Sequence, residues 1–216
     1  MRGQPILFVS HDEDGDWLFL CAGRHEDGGN DRIALACLKD IVACDQSLND
    51  LVGLCRLGEA RRDGVADPWR IHDGMEDVVR ENVERYACHV MSVSATNDGW
   101  GFAYSIGLSR TYRQPELICF GLSEDVTHWM INEMRDRMAD GQTFEDRQRV
   151  SGLIEGYECE LRKVRLERYP EFFGYALWFY DGDGFDALQI VWPDKARRYP
   201  WDKGYGAPIE QQPATW

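Results

Sequence analysis

The sequence has no run of about 20 apolar residues, the length that a helix needs to cross a bilayer. Its first residues, Met1 to Pro5, lack the apolar stretch and the cleavage site of a secretory signal peptide. We therefore expect no membrane segment and no export, and we predict a cytoplasmic location.

Basic residues are scarce relative to acidic ones. The chain has 24 Lys and Arg against 38 Asp and Glu, which gives a formal net charge of −14 at pH 7. Such a charge repels the phosphates of nucleic acids and anionic lipids, so we expect neither nucleic acid nor a membrane surface as partner. The charge favours a basic protein partner. The oligomeric state does not follow from the sequence.

The cysteines and histidines lack the spacing of a metal site or of a disulfide framework. Seven cysteines are an odd number, most of them stand in apolar runs, and no Cys-x2-Cys or His-x3-His pair occurs. The acidic loops at 12–16 and 181–186 do not follow the order of an EF-hand. We predict no metal, no cofactor and no disulfide.

Signatures of catalysis are also missing. The chain contains no Gly-x-Ser-x-Gly elbow, no Walker loop and no Gly-x-Gly-x-x-Gly fingerprint. The sequence therefore assigns no catalytic residue.

The pattern that is present predicts an α+β protein of two small domains, each a mainly antiparallel sheet with packed helices. Apolar runs of strand length at 6–10 and 17–21 are separated by Asp-Gly turn chemistry. The polar stretch 56–68 contains Gly and Pro, which mark a linker. We place the domains at 1–67 and 68–216, and we expect each to have its own core.

In the second domain the periodicity predicts a helix at about 74–86, then a hairpin of 87–95 and 100–108 joined by the turn 96–99. A strand at 116–121 precedes a helix that Ser123 begins and that runs to about Ala139. Its predicted apolar stripe consists of Val126, Met130, Met134 and Met138. The last dozen residues show no pattern, so we expect an irregular tail.

Polar and aromatic residues within or beside these elements supply the candidate ligand-binding residues. His128 shares a helix face with Glu124 and Asn132, at i, i+4 and i+8, so a carboxylate could orient the imidazole; the alternative is a solvated polar face. Gln189 interrupts an apolar strand, where a buried amide needs a partner or a ligand unless the strand lies at an edge. The full set is Tyr104, Ser105, His128, Gln189, Trp192 and Trp201.

Each of these residues also has a purely structural interpretation. Ser105 lacks the glycines of a nucleophile elbow and suits a strand. Trp192 and Trp201 bracket the basic stretch 195–198, which suits either stacking on a ligand or a turn held by aromatic packing. Trp17, Trp69 and Trp201 are candidate anchors for a partner, but tryptophan is highly buried on average, so the core is the favoured interpretation for each.

Four blocks of the second domain resemble a bacterial family, domain of unknown function 4262. They are 101–108 (GFAYSIGL), 115–122 (PELICFGL), 188–194 (LQIVWPD) and 199–201 (YPW), and the resemblance covers roughly 75–205. It implies an α+β domain and no particular reaction. Where we expect a His before the second block, this chain has Arg113-Gln114.

The first domain resembles the immunity-protein-33 family of polymorphic toxin systems over about 5–70. The matching features are 16–19 (DWLF), 44–48 (CDQSL) and the close from Arg62 to Trp69. This resemblance implies a protein that binds and neutralises a toxin.

Together these observations favour a cytoplasmic bacterial binding protein, such as an immunity protein that sequesters a basic effector. The alternative is an enzyme or small-molecule sensor with a pocket in the second domain, around Tyr104, His128 and Gln189.

Overall fold

The computed structural model describes residues 5–12, 14–21, 35–95, 100–208 and 211–216. The chain has the predicted α+β class, with a four-stranded and a six-stranded sheet and packed helices. It divides into two compact units, Met1–Val78 and Val79–Trp216. The domain boundary at 67/68 stays a prediction. No helix among the described residues could span a membrane.

The first unit is built on an antiparallel sheet of order β2-β1-β3-β4, formed by Ile6–His11 (β1), Trp17–Cys21 (β2), Glu59–Arg61 (β3) and Arg70–His72 (β4). Helix α1 (Leu38–Cys44) and a 3₁₀ segment, Gln46–Leu51, supply apolar residues to the same core. Val9 and Ala60 are fully buried in it, beside Leu48 and Leu51.

A buried cation lies in this unit. The Arg62 guanidinium donates to the Ile6 carbonyl at 2.9 and 2.7 Å, to Ser47 Oγ at 2.8 Å and to the Val65 carbonyl at 3.2 Å, and it pairs with the Asp45 carboxylate. Its carbon lies 4.3 Å from the centre of the Trp69 ring. Arg62 thus ties β1 to the 3₁₀ segment and to the connection between β3 and β4.

The second unit contains helix α2 from its residue Val79 onward (α2, Gly74–Tyr86) and a sheet of order β5-β6-β7-β10-β9-β8. Among the described strands of this sheet, only β7 and β10 pair in parallel. The strands are His89–Val93 (β5), Phe102–Ile106 (β6), Glu116–Phe120 (β7), Arg149–Ile154 (β8), Tyr157–Lys163 (β9) and Ala187–Val191 (β10). The helices are Leu108–Tyr112 (α3), Glu124–Ala139 (α4), Tyr169–Phe172 (α5) and Gly174–Phe179 (α6), with a 3₁₀ turn at Leu166–Arg168.

The two faces of this sheet bury different partners, because successive side chains of a strand point to opposite sides. One face packs against α4: Met130 and Met134 meet Leu117, Cys119 and other apolar residues in a single cluster. On the other face Phe102 and Phe120 contact Phe172 of α5, and Tyr104 contacts Phe173. We call these the α4 face and the aromatic face.

Three sequence-based expectations can be compared with this fold. The strands of the predicted hairpin pair as β5 and β6, while its turn, 96–99, lies outside the described residues. Val126 is wrongly placed in the apolar stripe of α4, because it is 38% exposed and Thr127 and Ile131 are buried instead.

The last residues contain no α-helix or strand where they are described, as expected, but this part is packed. Gln212 and Thr215 are fully buried. The side chain of Gln212 bonds both backbone groups of Trp192, at 3.0 and 2.9 Å, and so imitates a neighbouring strand. Hydrogen bonds from side-chain amides and hydroxyls thus hold this segment in place. A hydrophobic pattern in the sequence does not predict such contacts.

Candidate functional site

Helix α4 presents an acidic and aromatic surface to solvent. Its first turn carries Glu124 and Asp125, and Trp129, one turn later, is 49% exposed. These residues, with His128 and Asn132, line an open groove of about 440 Å³. Residues four apart on a helix are neighbours, so Asp125 flanks Trp129 and Glu124 flanks His128. We call this surface the α4 patch.

A second groove of about 400 Å³ adjoins the α4 patch at Glu124, which lines both. Its walls include Val93 and Trp100, the latter 47% exposed. The exposed Trp100 and Trp129 therefore line two grooves that share Glu124, at the start of α4. Because the opposite side of α4 is fixed by fully buried Met130 and Met134, the patch is held on a rigid support.

His128 is held within its own helix. Its Nδ1 and carbonyl are both contacted by the Asn132 amide, at 2.9 and 3.0 Å. A second imidazole, His89 of β5, has its pKa lowered by burial and by the charge of His128. Of the two residues that share its helix face, Asn132 contacts His128 directly. Orientation of the imidazole by the Glu124 carboxylate stays a prediction.

Glu116 at the start of β7 is the most buried acid among the described residues and has no exposed surface. One of its oxygens accepts from the backbone N–H groups of Gly107 and Ser109, at 3.1 and 3.0 Å, and from the Tyr180 hydroxyl. The other accepts from Ser105 Oγ at 2.5 Å. Ser105 is thereby committed to a carboxyl group and to the Leu117 N–H, 2.8 Å away.

Burial raises the pKa of Glu116, and the hydrogen bonds from Ser105, Ser109, Tyr180 and Gly107 offset only part of that rise. The same carboxyl group and burial together raise the pKa of Tyr180. Gly107 fits here because its φ of +116° is left-handed and a Cβ would come 2.8 Å from Val83. This network closes the turn between β6 and α3.

Gln189 and Tyr104 lie on the aromatic face in one row across the sheet, since both pair in register with Ile118. Tyr104 Oη accepts from the Tyr175 N–H at 3.3 Å, and burial raises the pKa of Tyr104 to about 12. Gln189 Oε1 accepts from the Thr215 hydroxyl at 2.7 Å. β10, the strand that carries Gln189, lies in the middle of the sheet and not at its edge. The buried amide therefore needs a hydrogen-bond partner or a ligand.

The two tryptophans of the predicted set lie in different surroundings. Trp192 is buried in the α4-face cluster and donates through Nε1 to the Phe120 carbonyl at 2.9 Å. Trp201 is 40% exposed, stacks on Tyr199 at 5.0 Å and covers the Arg162 guanidinium at 4.7 Å. The six predicted residues therefore do not form one site. Tyr104 and Gln189 share a row on the aromatic face, whereas His128 is on the solvent side of α4.

Sequence reasoning did not single out Trp129, Glu116 or Arg162. Trp129 carried a signal, since it stands four residues after Asp125 and outside the methionine stripe. Glu116 carried one as well, as a lone charge at the start of an apolar strand. The other candidate anchors contact their own unit: Trp17 stacks on His11 at 4.3 Å, and Trp69 covers Arg62.

No group of three or more His, Cys, Asp or Glu side chains suited to a metal occurs in the described ranges. Burial raises the pKa of the Cys88 thiol and of the Cys159 thiol to about 12. Small buried thiols of this kind pack as apolar groups.

Comparison with known protein families gives one match. Residues 82–206 match the family described as domain of unknown function (DUF4262), which is more than half of the chain and falls within the second unit. The chain belongs to this family. Curated proteins and solved structures gave no significant match.

The DUF4262 match includes the α4 patch, the Glu116 network and Gln189. It ends before the segment 211–216 that covers the aromatic face. The resemblance of residues 5–70 to the immunity-protein-33 family stays a prediction.

Proposed function

We propose that this DUF4262 chain is a cytoplasmic binding protein whose α4 patch engages a basic segment of a protein partner, as an immunity protein engages its effector. The observation that carries the proposal is the half-exposed Trp129, which shares one groove with the Glu124 and Asp125 carboxylates of α4. The interpretation as an enzyme or sensor stays an alternative prediction.

The chemistry of the patch suits arginine or lysine. An indole face attracts a cation, with about 0.5–1 kcal/mol at exposed sites. Glu124 and Asp125 add ion pairs, each contributing about 0–1 kcal/mol at a surface. Tryptophan is enriched among the residues that dominate binding energy at interfaces. The patch therefore combines an anchor with charges that select its partner.

The whole chain supports the same partner class. A net charge of −14 attracts basic proteins over a distance and accelerates their association by about 10- to 1,000-fold at low salt. This field is broad, so it does not specify where the partner binds. The exposed aromatic anchor supplies that position.

A titration with octa-arginine, followed across a salt series, tests the proposal. The double variant Glu124→Gln/Asp125→Asn should weaken binding by up to about 30-fold, because it removes two surface ion pairs. The matched control Asp140→Asn/Glu155→Gln removes the same net charge from exposed positions elsewhere in this unit. It should change the dissociation constant by less than about twofold.

Equal weakening by both double variants would show that only net charge matters and would refute the patch. Capture of proteins from the native host with wild type and the patch variant provides the second arm. A basic protein retained by wild type and the control, but lost with the patch variant, is the expected result.

A further inference from the structure

Three buried side-chain nitrogens in the second unit have no hydrogen-bond acceptor among the described residues: Arg162 Nε, Arg168 Nε and Gln189 Nε2. Folded proteins leave few buried polar atoms unsatisfied, because each costs free energy. Two of these three atoms belong to neighbouring residues, and this makes their position informative.

Gln189 of β10 and Arg162 of β9 are directly opposite in register. Side chains of opposite residues share a face with Cβ atoms about 5 Å apart, so the free amide and the guanidinium are adjacent. The Gln189 oxygen is already taken by Thr215, which leaves the nitrogen as the free half. For Arg162 Nε the carboxylate of Asp146 is 4.0 Å away, beyond hydrogen-bond distance.

Aromatic rings frame the Arg162 guanidinium. Its carbon lies 4.7 Å from the Trp201 ring centre and 5.2 Å from that of Trp216, and the two indoles meet edge to face. Trp216 is kept in place because the neighbouring Thr215 carbonyl accepts from the Arg165 N–H at 2.9 Å. The partly exposed Trp201 lies at the solvent side of this arrangement.

The surrounding charges restrict what can bind. Two adjacent donors, one of them cationic, require a ligand oxygen that accepts. Glu160, 3.4 Å from Arg162 Nη1, and Asp146 place two carboxylates nearby, which disfavours a multiply charged anion such as phosphate. The indole rings suit an apolar or aromatic body.

We propose that the aromatic face holds a small organic monocarboxylate between Gln189 and Arg162, beneath Trp201 and Trp216. Its carboxylate accepts from the Gln189 amide and the Arg162 guanidinium, and its body contacts the indoles. This site is separate from the α4 patch, which lies on the helix covering the other face of the sheet.

The test titrates full-length protein with benzoate and phenylacetate by calorimetry, with benzamide and inorganic phosphate as probes of charge. We expect saturable binding of a carboxylate in the micromolar to millimolar range, and at least about tenfold weaker binding of benzamide and phosphate. Wild type without saturable carboxylate binding would overturn the proposal regardless of any variant.

Two variants locate the site. Gln189→Glu keeps the side-chain shape and can accept from Thr215 and Arg162, so the fold should persist while its charge weakens benzoate binding by at least about tenfold. Arg162→Met removes the guanidinium, so it should also weaken benzoate binding by at least about tenfold. The control Arg149→Met removes an arginine that also approaches Glu160, at 3.6 Å, and covers Tyr199, and it should leave binding unchanged.

A structural alternative predicts the opposite result. If the oxygen and nitrogen of the Gln189 amide exchange places, the oxygen can accept directly from Arg162 and the nitrogen can donate to Thr215. Gln189 Nε2 and Arg162 Nε then both have hydrogen-bond partners without a ligand. Benzoate binding would then be absent, or insensitive to Gln189→Glu and Arg162→Met, and the monocarboxylate site would be refuted.

Discussion

Arg62 in the first unit and Glu116 in the second are both buried charged residues, but the groups that surround them differ in kind. Arg62 pairs with a carboxylate, Asp45, and donates to two backbone carbonyls and a hydroxyl. Glu116 accepts from two hydroxyls and two backbone N–H groups, with no cation among its hydrogen-bond donors in the described ranges. One centre is an ion pair, and the other is a carboxyl group held by neutral donors.

The difference sets opposite responses to pH. Burial by itself would raise the pKa of Asp45, but hydrogen bonds from Ser47 and Arg62 and the Arg62 charge lower it. Asp45 therefore stabilises the fold above its unfolded pKa, and this contribution is lost as pH falls through its folded pKa. The raised pKa of Glu116 means that folding favours the protonated form, so stability declines as pH rises from the unfolded pKa towards the folded one.

The largest expected effect comes from Glu116→Ala. Four donors lose their shared acceptor inside the protein, and breaking such a buried network costs about 3–5 kcal/mol. Glu116→Gln keeps one carbonyl oxygen for three of the donors and should cost much less. Urea unfolding of both variants measures the difference. Equal losses would show that the network depends on charge rather than on acceptor geometry.

Arg62→Met should rank second, with a loss of about 3 kcal/mol in the free energy of unfolding. Methionine keeps an apolar contact with Trp69 but leaves Asp45 and the Ile6 carbonyl unpaired. Part of the cost is recovered because Asp45 remains partly exposed and can hydrate. The neighbouring variant Arg61→Met, at an exposed position, should stay within about 0.5 kcal/mol of wild type. A similar loss in both would contradict the role of burial.

The smallest effect, and the sharpest form of the comparison, is the pH dependence of stability. Relative to wild type, Glu116→Gln should gain stability as pH rises from acid towards neutral, because it removes a carboxyl group whose ionisation is unfavourable. Asp45→Asn should lose stability over the same range, because wild type then benefits from the Arg62 pair. Denaturant midpoints across pH measure both slopes. If the stabilities of Glu116→Gln and Asp45→Asn, relative to wild type, changed with pH in the same direction, the contrast between the two buried centres would be contradicted.

The elements of this fold were largely predictable, whereas the buried polar contacts were not. Alternation and turn chemistry predicted β5 and β6, and the methionine stripe with Ser123 predicted α4, because these signals are local. Arg62 bonds the Ile6 carbonyl 56 residues away, and Gln189 bonds Thr215 26 residues away. No sequence period encodes such pairs.

The candidate site shows the same limit. Gln189 was noticed because an amide in an apolar strand is a local anomaly, yet its neighbour Arg162 is set by the pairing of β9 with β10. Val126 was misplaced because a strict four-residue spacing drifts around a helix of about 3.6 residues per turn, so the buried position in the first turn is Thr127.

The central functional claim is that binding resides on the surface of α4 while the buried charges are structural. It is tested most directly by titrating octa-arginine against wild type, Trp129→Ala and Glu116→Gln side by side. Loss of an exposed cation–π contact should weaken binding to Trp129→Ala by about two- to fivefold. Glu116→Gln should bind within about twofold of wild type, since the side chain has no exposed surface. Unchanged binding by Trp129→Ala, or equal weakening by Glu116→Gln, would contradict the claim.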